Sequence, residues 1–385
     1  MREFANTIFR ANPSYELVLI DRLAQEDRNL IDTGEDVDDL YGVLRPCQGS
    51  PLKMRSASRD TALLLLTLRD PGPIPAYLKK ELGADYQSVV TRLVLDEILQ
   101  VEEAGSFVSG TAARNLVLTE APNREGGRLA ELSIEALKYG QALEGLTTQE
   151  LARRLYFYGR EPVSSLRRRG LASEKSIREY LGQIGVEAAP SRLHANWIEA
   201  PKEERRPWWR MWHPRHCALG LKAADYKLYI SADCATLPAV FSAVVEALAE
   251  GPGVRGFKVA RDVSSLCRPD NLIAYFSRLE DLSSGAVRIR AHLTDCKARG
   301  VPFTAEVTRD GLMSWGIDPP DCHSPHGSSW RLWVVNRLAE YLLAAKTAGE
   351  AEPWRFALDR LSVDGVETGT WVPRSRNGAR LIANG

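Results

Sequence analysis

Long apolar runs are missing from this 385-residue chain. The longest, Ala62-Leu-Leu-Leu-Leu-Thr-Leu68, is far too short to span a bilayer. Met1-Arg-Glu-Phe-Ala-Asn6 lacks the apolar region of a secretory signal, so no export is expected. Net charge is missing too: 50 basic residues cancel 50 acidic ones. A dedicated nucleic-acid binder usually shows a basic excess, so that class is disfavoured. The six cysteines include no Cys-x-x-Cys pair, which excludes a zinc ribbon and a thioredoxin-type redox motif. Reduced thiols in a cytoplasmic protein are expected. No Gly-x-Gly-x-x-Gly turn offers a dinucleotide site, and no Gly-x-Ser-x-Gly elbow offers a hydrolase serine. A kinase reading fails for want of a glycine loop and a His-Arg-Asp motif. What is present is a globular composition, 44% hydrophobic, at a length that predicts two or three domains.

Residues 1–54 are weakly periodic and read as an N-terminal arm, with Gly34-Glu-Asp-Val-Asp-Asp39 as a solvated charge run. Residues 55–125 read as one module. Ser58 is an N-cap candidate for a helix through Leu68, which Asp70-Pro-Gly-Pro73 breaks. A second helix spans Pro75 to Leu82 and a third Tyr86 to Leu95. A hairpin follows, turning near Gly105. Three helices and a hairpin form a winged-helix-like pattern. Such a module can be purely structural. It can read DNA, though Arg92 is the only basic residue of its third helix. It can also recognise a peptide that adds a strand to the wing edge.

Residues 126–195 read as a helical region. Leu129 to Leu143 is one amphipathic helix, and Thr147-Thr-Gln-Glu150 fits a capping box before the next. Another helix starts at Ser173, and residues 187–192 read as a linker into a last domain, 196–385. Arg205-Arg-Pro-Trp-Trp-Arg-Met-Trp-His-Pro-Arg-His216 interleaves aromatic and basic groups. It can stack bases of a single strand, or serve as a lid or packing segment; packing is the commoner use of tryptophan. His213 and His216 have no carboxylate or cysteine at ligand spacing, so no metal site is expected there.

The last domain centres on Gly256-Phe-Lys-Val-Ala-Arg-Asp-Val-Ser-Ser-Leu-Cys-Arg-Pro-Asp-Asn-Leu-Ile-Ala-Tyr-Phe276. Lys258 sits between Phe257 and Val259; either it snorkels from an edge strand, or it is partly buried and its pKa falls toward that of a base. Upstream, Asp225-Tyr-Lys-Leu-Tyr-Ile-Ser231 alternates as a strand, with Lys227 and Tyr229 on one face. Downstream come Gly300-Val-Pro-Phe-Thr304, then Asp310-Gly-Leu-Met-Ser-Trp-Gly-Ile-Asp-Pro-Pro320, then a helix from Ser329 to Ala345.

This order of motifs resembles the Hop-type type III effector family. It is also similar to the lyase components of lanthipeptide and thioamide-peptide pathways and, more distantly, to the phosphothreonine lyases. The likeness covers about residues 220–345. It implies an α+β chain whose last domain is a phosphothreonine lyase-like, mixed and mostly antiparallel sheet with flanking helices, preceded by the winged-helix-like and helical regions. It implies a metal-independent, cofactor-free lyase that removes phosphate from phosphoserine or phosphothreonine of a ribosomally made precursor peptide, leaving dehydroalanine or dehydrobutyrine. A separate Ser/Thr kinase of the pathway would phosphorylate the core, the leader would bind too, and a cyclase is a further candidate partner. Neither nucleic acid nor membrane is expected as a partner.

By the same resemblance Lys258 is the base and Lys227 a phosphate ligand. Arg268 binds phosphate, Tyr275 lines the site, and Ser329 with Arg331 or Arg337 completes it. The phosphothreonine lyases carry a histidine as general acid two residues after the first lysine, where this chain has Tyr229. Tyr229, Lys227, His323 or His326 can replace it, or phosphate can leave unprotonated. The residues themselves are basic or phenolic, which is the composition of an anion site. The alternative is an adaptor that has lost catalysis and holds a peptide or phosphopeptide.

Overall fold

The computed structural model describes residues 4, 6–24, 40–118, 126–184, 190–202, 207–215, 226–249, 251, 253–293, 296–317 and 329–373. Helices and antiparallel sheets are mixed along the chain, the α+β class expected. The described residues pack as two units, those of 1–124 with 340–365, and those of 125–319 with 329–339 and 366–373. The sequence suggests four consecutive segments, whereas these units share the C-terminal third between them. No helix among the described residues is long and apolar enough to cross a membrane.

In the first unit, the stretch expected as an arm carries β1 (Phe9–Ala11), β2 (Tyr15–Leu19) and β3 (Leu40–Pro46). β4 (Arg55–Ser58) completes an antiparallel sheet in the order β2-β3-β4. The charge run 34–39 lies outside the described residues. Ser58 caps α1 (Arg59–Thr67) by accepting from the Thr61 amide, which supplies a partner for one of the amides a helix start leaves open. α2 (Ala76–Glu81) and α3 (Tyr86–Leu95) follow, then the hairpin of β5 (Leu99–Glu103) and β6 (Ser106–Val108). Ala104 and Gly105 both have positive φ at its tip, the backbone a two-residue primed turn requires. β1 pairs with β5, so the hairpin becomes a three-stranded sheet. The short α4 (Arg114–Val117) ends this stretch.

The second unit opens with α5 (Arg128–Ala142) and α6 (Thr148–Tyr156), the latter behind the expected Thr147–Glu150 capping box. α7 (Ser165–Gly170) and α8 (Glu174–Tyr180) follow. Of the linker expected over 187–192, residues 187–189 lie outside the described residues, and the remainder already belongs to α9 (Pro190–Asn196).

A seven-stranded antiparallel sheet then forms from β7 (Trp197–Glu199), β8 (Trp209–Pro214), β9 (Tyr226–Ile230), β10 (Val254–Ala260), β11 (Leu272–Phe276), β12 (Ala305–Glu306) and β13 (Met313–Ile317). Its order is β12-β13-β9-β11-β10-β8-β7. Between the strands lie α10 (Leu237–Ala249), α11 (Val263–Leu266) and α12 (Leu279–Ala291). Strand alternation divides the sheet into two faces. Leu228, Ile230, Phe257, Val259, Ala274 and Phe276 belong to the buried core that also takes Phe241, Val244 and Leu248 from α10 and Leu282, Ala286 and Ile289 from α12. The opposite face carries the polar residues of the next subsection. α13 (Trp330–Thr347) and α14 (Pro353–Val363) come after the sheet, and β14 (Val366–Glu367) pairs with β15 (Val372–Pro373).

Candidate functional site

Register puts the expected residues on one face of the second unit's sheet. Tyr229 of β9 lies opposite Ile273 of β11, which lies opposite Lys258 of β10, which lies opposite Met211 of β8. One pair along, Lys227 faces Tyr275. Directly opposed residues point the same way, so Lys227, Tyr229, Lys258 and Tyr275 share the face. Lys258 is partly buried, not extended into solvent. Its Nζ lies 4.5 Å from the ring centre of Trp209 and 5.4 Å from that of Tyr275. Both rings present their electron-rich faces to an ammonium.

The turn between α11 and β11 brings in Arg268 and Asp270. Arg268 donates from Nε to Asp270 Oδ1 at 2.9 Å and from Nη2 to Oδ2 at 2.8 Å, a two-pronged pair. Its Nη2 also donates to the Tyr156 hydroxyl at 3.0 Å, and that hydroxyl donates to Asp270 Oδ2 at 3.2 Å. The guanidinium lies within 5.3 Å of the ring centres of Tyr156, Phe157 and Trp209. Arg331, in the first turn of α13, is fully buried and places Nη1 2.9 Å from Asp270 Oδ2. That contact is an ion pair without hydrogen-bond alignment, whereas Nη2 donates to the Tyr156 carbonyl at 2.7 Å.

Asp270 is 1% exposed. Burial opposes its ionisation, but the pull of Arg268, then Arg331, the Arg268 hydrogen bonds and Lys258 together hold its carboxyl well below the usual range. Arg268 is correspondingly held in its charged form: burial opposes the charge, and Asp270 outweighs it. Tyr229 is 2% exposed, and its hydroxyl has no hydrogen-bond partner. Burial, and then Tyr156, push its pKa well above that of an ordinary phenol against the opposing pull of Arg331, so it keeps its proton at neutral pH. Arg331 Nε is a second buried donor without a partner.

The structure therefore gathers Lys258, Tyr229, Arg268 and Arg331 around Asp270, with Lys227 and Tyr275 on the same sheet face. Of the two arginines of α13, it joins Arg331 to this cluster. Arg337 lies six residues on, about 240° further round the helix at 3.6 residues per turn, and its guanidinium sits 4.6 Å from the Trp333 ring centre. Ser329 acts at the helix start, its Oγ accepting from the Leu332 amide at 3.3 Å. His216, His323 and His326 lie outside the described residues. Sequence reasoning misses three contributors. Asp270 reads as turn composition, Tyr156 as the end of a remote helix, and Trp209 as one of an aromatic and basic stretch. That stretch contains β8, with Trp209 and Trp212 buried in the sheet.

No protein-family model and no curated protein matches the chain. Solved structures do. The effector protein from Pseudomonas syringae pv. syringae strain 61 is 13% identical, with 65% of this chain and 99% of that chain covered and a TM-score of 0.44. The VirA (SpvC) phosphothreonine lyase effector of Chromobacterium violaceum is 13% identical, covering 41% of this chain and 83% of that chain at a TM-score of 0.28. The phosphothreonine lyase SpvC from Salmonella is 14% identical, covering 41% of this chain and 94% of that chain at a TM-score of 0.27. Each is a partial likeness at low identity.

Proposed function

We propose that the chain is a phosphoserine/phosphothreonine lyase acting on a ribosomally made precursor peptide phosphorylated by a separate kinase. The observation that carries this reading is a local charge imbalance. Arg268 and Arg331 both pair with one carboxylate, Asp270, and two buried donors beside them, Tyr229 Oη and Arg331 Nε, have no hydrogen-bond partner among the described residues. A phosphate dianion supplies the missing negative charge and the missing acceptors. The motif order that resembles the lyase families supports the same assignment.

In the reaction, Lys258 Nζ in its neutral form takes the Cα proton. The Cα–H electron pair becomes the Cα=Cβ bond, the Cβ–O bond breaks, and phosphate leaves with the O–P bond intact. Cations held close by stabilise the charge that develops on the leaving oxygens. Tyr229, which retains its proton, is the unpaired donor that serves the leaving group.

The test is elimination from a phosphopeptide, read by mass spectrometry as loss of phosphoric acid. Lys258→Ala should reduce the rate by about 10²–10⁴-fold or more, the usual worth of a positioned base, with peptide binding largely kept. Lys258→Arg should fail too, because a guanidinium stays protonated. Wild-type elimination by Lys258→Ala would sink the assignment. Phosphopeptide binding without elimination by the wild-type chain would favour the adaptor reading.

A further inference from the structure

Two cysteines stand together beside the cluster and have no part in the proposed chemistry. Cys234 lies in the turn between β9 and α10, and Cys267 closes α11, immediately before Arg268. They are 4% and 0% exposed. Their sulfurs are 3.7 Å apart, and the Cys234 Sγ–H has two acceptors in reach, Cys267 Sγ and the Leu266 carbonyl at 3.4 Å. We infer that Cys234 and Cys267 form a modification site, a dithiol that a peroxide converts reversibly to an intramolecular disulfide.

The surroundings prepare one sulfur to react and the other to resolve. Arg167 Nη1 donates to Cys267 Sγ at 3.7 Å, and Arg167 in turn pairs with Glu161 Oε2 at 2.8 Å. The Cys234 hydrogen bond, then Arg167, lower the pKa of the Cys267 thiol against burial. A thiolate is the form that attacks peroxide. The same hydrogen bond and burial push the Cys234 thiol up, so it is the proton-bearing partner.

Both chain segments are anchored. The Cys234 amide donates to Glu161 Oε1 at 3.0 Å, and the Tyr180 hydroxyl donates to the Cys234 carbonyl. Arg299 donates to the carbonyls of Cys267 and Arg268 at 2.9 and 3.0 Å. The sulfurs therefore stay adjacent. From 3.7 Å they must close by about 1.7 Å to reach the S–S bond length.

In the first step the Cys267 thiolate attacks one peroxide oxygen, the O–O bond breaks, and Cys267 becomes a sulfenic acid as hydroxide departs. The Cys234 sulfur then attacks the sulfenic sulfur, the S–S bond forms, and the sulfenic oxygen leaves as water with the Cys234 proton. The two sulfurs lose two electrons in all, and one peroxide is reduced to one water and one hydroxide, which solvent protonates.

The experiment uses the full chain, folded, and does not depend on the lyase reading. The protein is treated with hydrogen peroxide, alkylated, digested without reductant and mapped. The expected result is a cross-linked peptide pair joining Cys234 to Cys267, lost on treatment with dithiothreitol. Arg167→Gln should slow its formation several-fold, as the thiolate loses its cationic partner. Cys234→Ser should leave Cys267 as a sulfenic acid that dimedone captures; if that variant does not fold, the wild-type map decides alone. Oxidation of Cys267 to sulfinic acid while Cys234 still alkylates, or cross-links that join either residue elsewhere, would overturn the inference.

Discussion

Asp270→Ala probes the cluster most directly. In the folded chain the carboxylate, itself 1% exposed, accepts two hydrogen bonds from Arg268 and one from Tyr156, and pairs with Arg331. Truncation leaves two buried guanidinium groups facing each other with no anion between them. Breaking a buried pair by removing one partner costs about 3–5 kcal/mol. At roughly 2–4 °C per kcal/mol for a folding unit of this size, the unfolding midpoint should fall by about 6–20 °C. Asp270→Asn keeps the volume and one acceptor, so it should fall by less. The loss should also be rescued. The gap between the arginines becomes an anion site, and inorganic phosphate at a hundredfold excess over its Kd should restore about 2.7 kcal/mol. The sign of the pH dependence follows from the depressed carboxyl. Its folded-state pKa lies below the unfolded one, so its contribution is complete at neutral pH and is lost only as pH falls through the folded value. The difference between wild type and variant should therefore be flat from pH 8 to about 5. The assay is thermal unfolding of both proteins with and without phosphate. A variant within about 1 kcal/mol of wild type, or one indifferent to phosphate, would refute the claim that Asp270 neutralises a buried cationic pair.

Other outcomes follow from the same structure. Glu174 is drawn down to about 2, first by its Arg261 hydrogen bond and then, against burial, by Arg210; its stabilising effect is full above its ordinary 4.5 and is lost as pH falls through about 2, so Glu174→Gln should flatten the acid unfolding curve across that window. Arg360 holds Asp96 and Asp364 at 2.7 Å each in the first unit, and Arg360→Met should cost about 3–5 kcal/mol in urea unfolding by leaving two carboxylates without their cation. Gly256 leaves no room for a side chain, since a Cβ there would lie 2.5 Å from the Trp212 carbonyl oxygen; Gly256→Ala should lower stability by about 1–3 kcal/mol, and unchanged thermal unfolding would show that β8 can yield. Arg331→Ala should abolish phosphopeptide binding in calorimetry, whereas Arg337→Ala should change it only a few-fold; equal losses would contradict the choice between them.

Much of the second unit could be read from local pattern. Tyr226–Ile230 alternates strongly enough to predict a strand and the shared face of Lys227 and Tyr229, and the apolar Leu272–Phe276 reads as a buried strand. Thr147 and Glu150 announce a helix start by side-chain chemistry that acts over three residues. What local pattern could not supply was any relation made across the chain. Arg268-Pro-Asp270 has the composition of an exposed turn, and nothing within it reports that Tyr156, 114 residues earlier, will donate to the carboxylate. The spacing of Arg331 and Arg337 did not choose between them either; helix geometry sends them to different sides, and only packing says which side meets Asp270. Whole-chain charge was uninformative for a related reason. A sum of zero over 50 basic and 50 acidic residues is compatible with two guanidinium groups gathered on one buried acid. Such an imbalance opposes folding unless an anion enters or water screens it. Asp270 offsets part of it, and the positive charge left over is what draws a phosphate.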